Sequence, residues 1–154
     1  YDKATGYLGH QVDGTFIADV SLYDRILVVR KDGTYSVVDA PDKLFVGKGM
    51  QHCGFPDKEQ IFNVVFRDKK GATKIKRCKV EGFILNRAYE LVPAGGTLLR
   101  FTLNNEATVE LEYKPAPRLR VLEEQFAISE YPIQGAKASG VQLSKKDVKS
   151  VRMA

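Results

Sequence analysis

Two β-branched runs, Ile26 to Val29 and Thr34 to Val38, flank the dipeptide Asp32-Gly33. Asp tolerates and Gly favours the positive φ values of a type I′ turn, so the stretch predicts a tight β-hairpin. The same pattern then recurs with different residues. Ile61 to Asp68 runs into Lys69-Lys70-Gly71 and out through Thr73 to Val80. Ala88 to Val92 runs into Ala94-Gly95-Gly96 and out through Leu98 to Leu103, which turns at Asn104-Asn105 into Ala107 to Tyr113. Serial hairpins predict an array of small sheets, with the turn glycines at comparable positions. Their unequal spacing fits blades with variable loops better than a strict solenoid.

Other strand signals agree. Thr15 to Val20 follows a second turn dipeptide, Asp13-Gly14, and reads as a strand. Thr108 to Tyr113 alternates strictly, which puts Val109, Leu111 and Tyr113 on a core face and Glu110 and Glu112 in water. Arg118-Leu119-Arg120-Val121 alternates likewise after the Pro-rich break at 115–117, the one plausible seam. Along Thr73 to Val80, Lys74 and Lys76 share one face while Ile75, Arg77 and Lys79 share the other. Cations pointing both ways predict a β-bulge, or a change of sheet, near Lys76. Ser144 to Asp147 has capping-box spacing, but few residues follow, so a terminal strand through Val148 to Met153 is expected instead of a helix.

At 154 residues the chain can bury one sizeable core, and one compact domain over 1–154 is the default. A composition of 44% hydrophobic and 28% charged residues is ordinary for a globular domain and argues against disorder. No apolar run is long enough to span a bilayer, and the first residues lack a signal-peptide profile. A start on Tyr-Asp-Lys without Met reads as a domain excised from a longer protein, although processing would give the same start. Two cysteines, Cys53 and Cys78, are too few for a disulfide scaffold, and a reducing cytoplasm is the simpler compartment.

The net charge of +5 hides an uneven distribution. From Ile61 to Arg87, the cations Arg67, Lys69, Lys70, Lys74, Lys76, Arg77, Lys79 and Arg87 face only Asp68 and Glu81. From Asn104 to Glu130, six glutamates outnumber Lys114, Arg118 and Arg120. The last eighteen residues turn basic again through Lys137, Lys145, Lys146, Lys149 and Arg152. A one-signed patch attracts and steers a polyanion. A single cluster is more plainly a solvated face; two basic segments around an acidic one point towards nucleic acid.

Catalytic and metal signatures are missing. His10 and His52 are the only histidines, and Cys53 and Cys78 have no C-x-x-C spacing, so all four read as surface or core residues. No G-x-S-x-G, P-loop or dinucleotide fingerprint occurs, and Gly47-Lys48-Gly49 is a loop with no phosphate-cradle pattern.

The order of these segments resembles the C-terminal domain of the type IIA DNA topoisomerase A subunit, found in bacterial gyrase and topoisomerase IV. Thr5-Gly6-Tyr7-Leu8-Gly9 looks like the opening of one of that domain's blades, and Tyr23 to Val29 through Asp32-Gly33 like its strand-turn-strand unit. Asp39 to Lys48 is similar to the connector of Bacteroidetes-type topoisomerase IV-like subunits. Phe66 to Lys69 with Thr73 to Val80 is similar to that branch's basic hairpin. Tyr131 to Val141 looks like a degenerate Gly-rich box followed by a closing strand. Gyrase carries a glutamine, two arginines, two glycines, a lysine and a glycine in succession. Here Gln134, Gly135, Lys137 and Gly140 remain in altered spacing, and both arginines are missing.

The resemblance implies an all-β fold, a propeller-like β-pinwheel of about three to four small four-stranded blades. It implies a non-catalytic domain that holds and bends duplex DNA while the full enzyme passes strands in an ATP-dependent reaction. The cleaving tyrosine, the magnesium site and the ATPase would lie elsewhere, so this domain would need no cofactor and Mg2+ and ATP would serve the full enzyme. Its partners would be double-stranded DNA, the ATPase-bearing B subunit plus the rest of the A subunit, with no membrane, in a nucleoid-associated cytoplasmic setting. The expected DNA contacts are Arg67, Lys69, Lys70, Lys74, Lys76, Arg77, Lys79, Lys137, Lys145, Lys146, Lys149 and Arg152. Phosphate contacts need no base readout, and DNA bending costs a few kcal/mol that added backbone contacts offset. Loss of the paired arginines argues for a topoisomerase IV-like role. A propeller that binds a partner protein is the alternative, since fold alone does not assign function, and a small β-barrel enzyme ranks last.

Overall fold

The computed structural model describes residues 1–21 and 23–154. In chain order the strands are β1 (Tyr7–Leu8), β2 (Arg25–Val29), β3 (Thr34–Asp39), β4 (Leu44–Phe45), β5 (His52–Gly54), β6 (Ile61–Arg67), β7 (Thr73–Lys79) and β8 (Tyr89–Glu90). They continue with β9 (Thr97–Thr102), β10 (Thr108–Tyr113), β11 (Glu123–Ala127), β12 (Ile133–Gly135), β13 (Val141–Ser144) and β14 (Val148–Met153). One 3₁₀ turn, Ile128–Glu130, is the only helical element among the described residues. The all-β expectation holds. The strands form sheets of two, three, four and five strands, so the sheets are not uniformly four-stranded. Two compact units are distinguished, Tyr1–Lys58 with Val80–Leu91, and Glu59–Lys79 with Val92–Ala154.

In the first unit, β5-β2-β3-β8 form one sheet and β1-β4 a short ladder. Ile26 and Val28 on one face of β2 pack with Leu8, Val38 and Val46. Leu27 and Val29 on the other face are buried as well, which explains why β2 reads as a continuous apolar run without alternation. Tyr35 of β3 stacks on Tyr89 of β8 with ring centroids 5.3 Å apart.

The second unit holds the five-stranded sheet, β12-β7-β6-β9 with β13 also on β7, and the sheet β11-β10-β14. Val65 and Ile75 of the first sheet share a core with Val109, Leu111, Tyr113, Val148 and Val151 of the second. Strict alternation in β10 places Val109, Leu111 and Tyr113 inside, each at most 1% exposed, as their spacing predicts. Each such buried aliphatic side chain contributes about 1.5–3 kcal/mol.

The first two hairpins are equivalent, but their turn differs from the expected one. Gly33 N–H donates to Arg30 O at 3.1 Å and Arg30 N–H to Thr34 O at 2.8 Å. Gly71 N–H donates to Asp68 O at 3.0 Å and Asp68 N–H to Ala72 O at 2.9 Å. Both are three-residue loops closed by a left-handed glycine, with φ of 85° at Gly33 and 89° at Gly71. Asp32 therefore needs no positive φ. Its carboxylate accepts from the N–H and hydroxyl of Thr34 at 2.9 and 2.6 Å.

The third hairpin does not form, because β8 pairs with β3 whereas β9 pairs with β6. Nor does β9 pair with β10 across Asn104-Asn105, since β10 lies between β11 and β14. Residues 15–20 form no strand, and Phe16 is 73% exposed. Residues 118–121 form none either; Arg118 adopts a left-handed φ of 68° in a turn. In both stretches a strand-like sequence occurs without a neighbouring strand to complete a ladder. The terminal strand is present as β14, as expected.

β7 resolves its own anomaly. Its register with β6 runs unbroken from Thr73 to Lys79, so no bulge occurs there. The partner on its other edge changes instead, from antiparallel β13 at Thr73–Ile75 to parallel β12 at Arg77–Lys79.

Candidate nucleic-acid interface

Register brings distant cations to one end of the five-stranded sheet. Ser144, the last residue of β13, pairs with Thr73, the first residue of β7. The β6–β7 turn with Lys69 and Lys70 therefore emerges beside the β13–β14 turn with Lys145. All three lysines are exposed, with no carboxylate within 4 Å among the described residues. Arg67 ends β6 at the same place, half-buried, its Nη2 donating to Val148 O at 3.3 Å.

Asp68 shapes this end. Its carboxylate accepts the backbone N–H groups of Lys70 and Ala72, each at 2.9 Å, and pairs with Lys74 at 3.4 Å. The Ala72 N–H foremost, with those of Lys70 and the Lys74 ammonium, holds its pKa below the usual carboxylate value. Asp68 thus remains charged and fixes the backbone that projects Lys69 and Lys70.

Two expected contacts are excluded by burial. Lys76 is 1% and Arg77 6% exposed. The Lys76 ammonium donates to Ala136 O, and burial pushes its pKa down. Arg77 Nε donates to Asn63 Oδ1 at 2.9 Å, Nη1 to Tyr131 O at 2.9 Å, and Nη2 to Asn105 Oδ1 at 3.3 Å. Neither head group faces solvent, so neither reaches a phosphate. The composition of β7 is basic, but its surface is much less so.

The remaining cations are mostly engaged. Lys79 pairs with Glu59 at 3.3 Å. In the sheet β11-β10-β14, Arg152 pairs with Glu110 at 3.8 Å and Lys149 with Glu112 at 3.5 Å, while Lys146, from the β13–β14 turn, pairs with Glu124 at 3.2 Å. The basic tail and the acidic stretch, read as separate zones along the chain, thus interleave across strands. Ser150 and Lys149 hold the pKa of Glu112 down, and Tyr113 and Lys146 do the same for Glu124.

The box-like segment follows β12. Gln134 and Gly135 lie opposite Cys78 and Lys79, with Gln134 Oε1 buried. Lys137 is exposed on the loop beyond. Gly140 has φ of 88°, and a Cβ there would meet Phe66 Cζ at 3.0 Å. The Asn63–Asn105 pair, linked at 3.1 Å, was not singled out from sequence. The signal was a lone amide inside the apolar run of β6, where a buried polar group must have partners.

Among the described residues, no group of three or more His, Cys, Asp or Glu side chains is placed to hold a metal ion. Among the same residues, no helix is long and apolar enough to cross a membrane.

Fold and charge together define an all-β chain whose uncompensated lysines gather on turns. The chain belongs to the family described as topoisomerase C-terminal domain, Bacteroidota, which matches residues 1–154. The A subunit of DNA topoisomerase 4 from Borreliella burgdorferi is 32% identical over 108 residues, 66% of this chain and 17% of that protein. The chain therefore spans about a sixth of the length of that relative. No solved structure matches it.

Proposed function

We propose that this chain is the non-catalytic DNA-holding domain of a bacterial type II topoisomerase A subunit of the topoisomerase IV-like kind. The observation that carries this is the convergence of Lys69, Lys70 and Lys145 at one end of the sheet, within a chain of the topoisomerase C-terminal domain family. Exposed, uncompensated ammonium groups on rigid turns bind phosphates without base readout and release counterions on contact. Lys137 extends the track along the edge of the sheet. A β-pinwheel arrangement of blades is the fold this reading implies.

In this reading the domain captures and modestly bends a duplex for passage by the full enzyme. Strand cleavage, Mg2+ and ATP belong to the B subunit or to other regions of the A subunit; no step through them is assigned to these residues. Localisation with the nucleoid follows from the same role. The alternative, a protein-interaction module, draws support from a groove of about 440 Å³ in the first unit, bordered by the exposed Phe16, Ile17 and Phe55.

An electrophoretic shift series over salt concentration decides between them. The proposal expects duplex binding that tolerates sequence and falls linearly in log K against log salt, at roughly −0.9 per phosphate contacted. Binding that ignores salt, or no binding in dilute salt, would reject it in favour of the protein-interaction reading.

A further inference from the structure

We propose that Lys76 and Arg77 are positioning residues that act from inside the fold, fixing the loop 136–140 so that it presents Lys137 to DNA. The inference rests on the DNA-holding reading above and adds to it the means by which the box-like segment is shaped.

Three anchors define that loop. β12 and β13 flank the same edge of β7 and leave it uncovered at Lys76, where one partner strand gives way to the other. Lys76, from this gap, donates to Ala136 O at the start of the loop. Arg77 points to the opposite face of the strand and donates to Tyr131 O, two residues before β12 begins. Gly140 closes the loop in the left-handed region, against Phe66 and Ile75 O. Between these anchors Lys137 is exposed, and Ala138 N–H returns to Gly135 O at 3.0 Å.

The chemistry suits latches better than contacts. None of the Arg77 acceptors is a carboxylate; the guanidinium spreads its donors over Asn63, Asn105 and main-chain oxygens. A buried cation satisfied by neutral dipoles is retained at a cost in desolvation, and removing its partners leaves an unpaired charge. The segment from 129 to 136 supplies acceptors to both cations, so its path is tied to theirs.

The test uses the whole chain with Lys76→Met, Arg77→Lys, Lys137→Ala and the Lys76→Met/Lys137→Ala pair, each checked for folding by circular dichroism. Lys76→Met keeps the length of the side chain and removes the donor. Arg77→Lys keeps the charge and loses the fork, and carries the test should Lys76→Met fail to fold. Trypsin cleavage after Lys137 should quicken roughly tenfold in both, because the loop opens locally. On duplex DNA, Lys76→Met should weaken binding in the wild-type background and change it less than about twofold once Lys137 is Ala. Effects that simply add would mean that Lys76 acts independently of Lys137, which overturns the proposal. So would unchanged cleavage in both variants. Failure of the wild-type chain to bind duplex DNA would overturn the DNA-holding reading instead, and the cleavage rates would still decide whether the cations anchor the loop.

Discussion

Lys146 Nζ lies 3.2 Å from Glu124 Oε1, and that same oxygen accepts the Tyr113 hydroxyl at 2.9 Å. The Lys146 ammonium also sits 4.9 Å above the centre of the Tyr113 ring. A lysine so held is not free for phosphate, and Lys149 and Arg152 face glutamates in the same way. Carboxylates of the chain itself occupy Lys146, Lys149 and Arg152 of its basic tail.

Neutralising them should strengthen DNA binding. The triple variant Glu110→Gln, Glu112→Gln, Glu124→Gln is expected to bind duplex more tightly. Its log K against log salt should steepen by up to about 0.9 for each cation released. Titration at several ionic strengths measures both. An unchanged slope would mean that this sheet lies off the DNA path.

Charge reversal at Lys69, Lys70 and Lys145 should weaken binding to all sequences about equally, with little effect on stability because all three are exposed. Reversing Lys76 and Arg77 should instead unfold the second unit, since two buried side chains would then carry unpaired negative charge. Thermal melts beside shift assays separate the two outcomes.

Gly71→Ala should cost roughly 1 kcal/mol, the strain of a left-handed non-glycine residue, because nothing lies within 4 Å of the added methyl. Gly140→Ala should cost more, since its Cβ also presses on Phe66 at 3.0 Å. Urea denaturation of the two variants gives the ordering; equal losses would contradict the packing at Gly140.

The pH dependence of stability should change in Lys76→Met. Burial lowers the Lys76 pKa in the folded state, so in alkaline solution the unfolded chain binds more protons at this site. Stability from this group therefore rises as pH climbs from the folded towards the unfolded pKa. Cys78, raised by burial, acts in the opposite sense, and the two groups interact, so the difference between wild type and variant reports Lys76 together with its effect on Cys78. At acid pH the slope has the same sign. Asp68, Glu112 and Glu124 have lowered pKa values, so their contribution is present above the ordinary carboxylate range and lost as pH falls through the folded values. Denaturant midpoints across both ranges provide the measurement.

Wrapping should be shallow, because the box at 134–140 lacks paired arginines. Circular DNA nicked and religated with the domain should retain few supercoils. Stoichiometric retention of one handedness would indicate gyrase-like wrapping and overturn the topoisomerase IV-like assignment.

Local patterning accounts for what could be read without coordinates. Gly33 and Gly71 marked equivalent hairpins because only glycine takes the left-handed position cheaply. Val109, Leu111 and Tyr113 announced a core face because side chains alternate along a strand. The stretches 15–20 and 118–121 carried comparable signals and formed no strand, since a strand exists only where another pairs with it. Lys76 and Arg77 misled for a related reason: cationic composition says nothing about which face of a sheet will be covered.

The all-β character, the two tight hairpins and the topoisomerase-domain resemblance were therefore legible in the amino-acid order, since all of them depend on neighbours in the chain or on the order of segments. Which strands pair, that Lys146 and Lys149 face glutamates, and that two central cations turn inward while Lys69, Lys70 and Lys145 meet were settled by the folded chain alone. Those outcomes depend on contacts between residues dozens of positions apart, whose register is set by shared burial and backbone hydrogen bonding between strands.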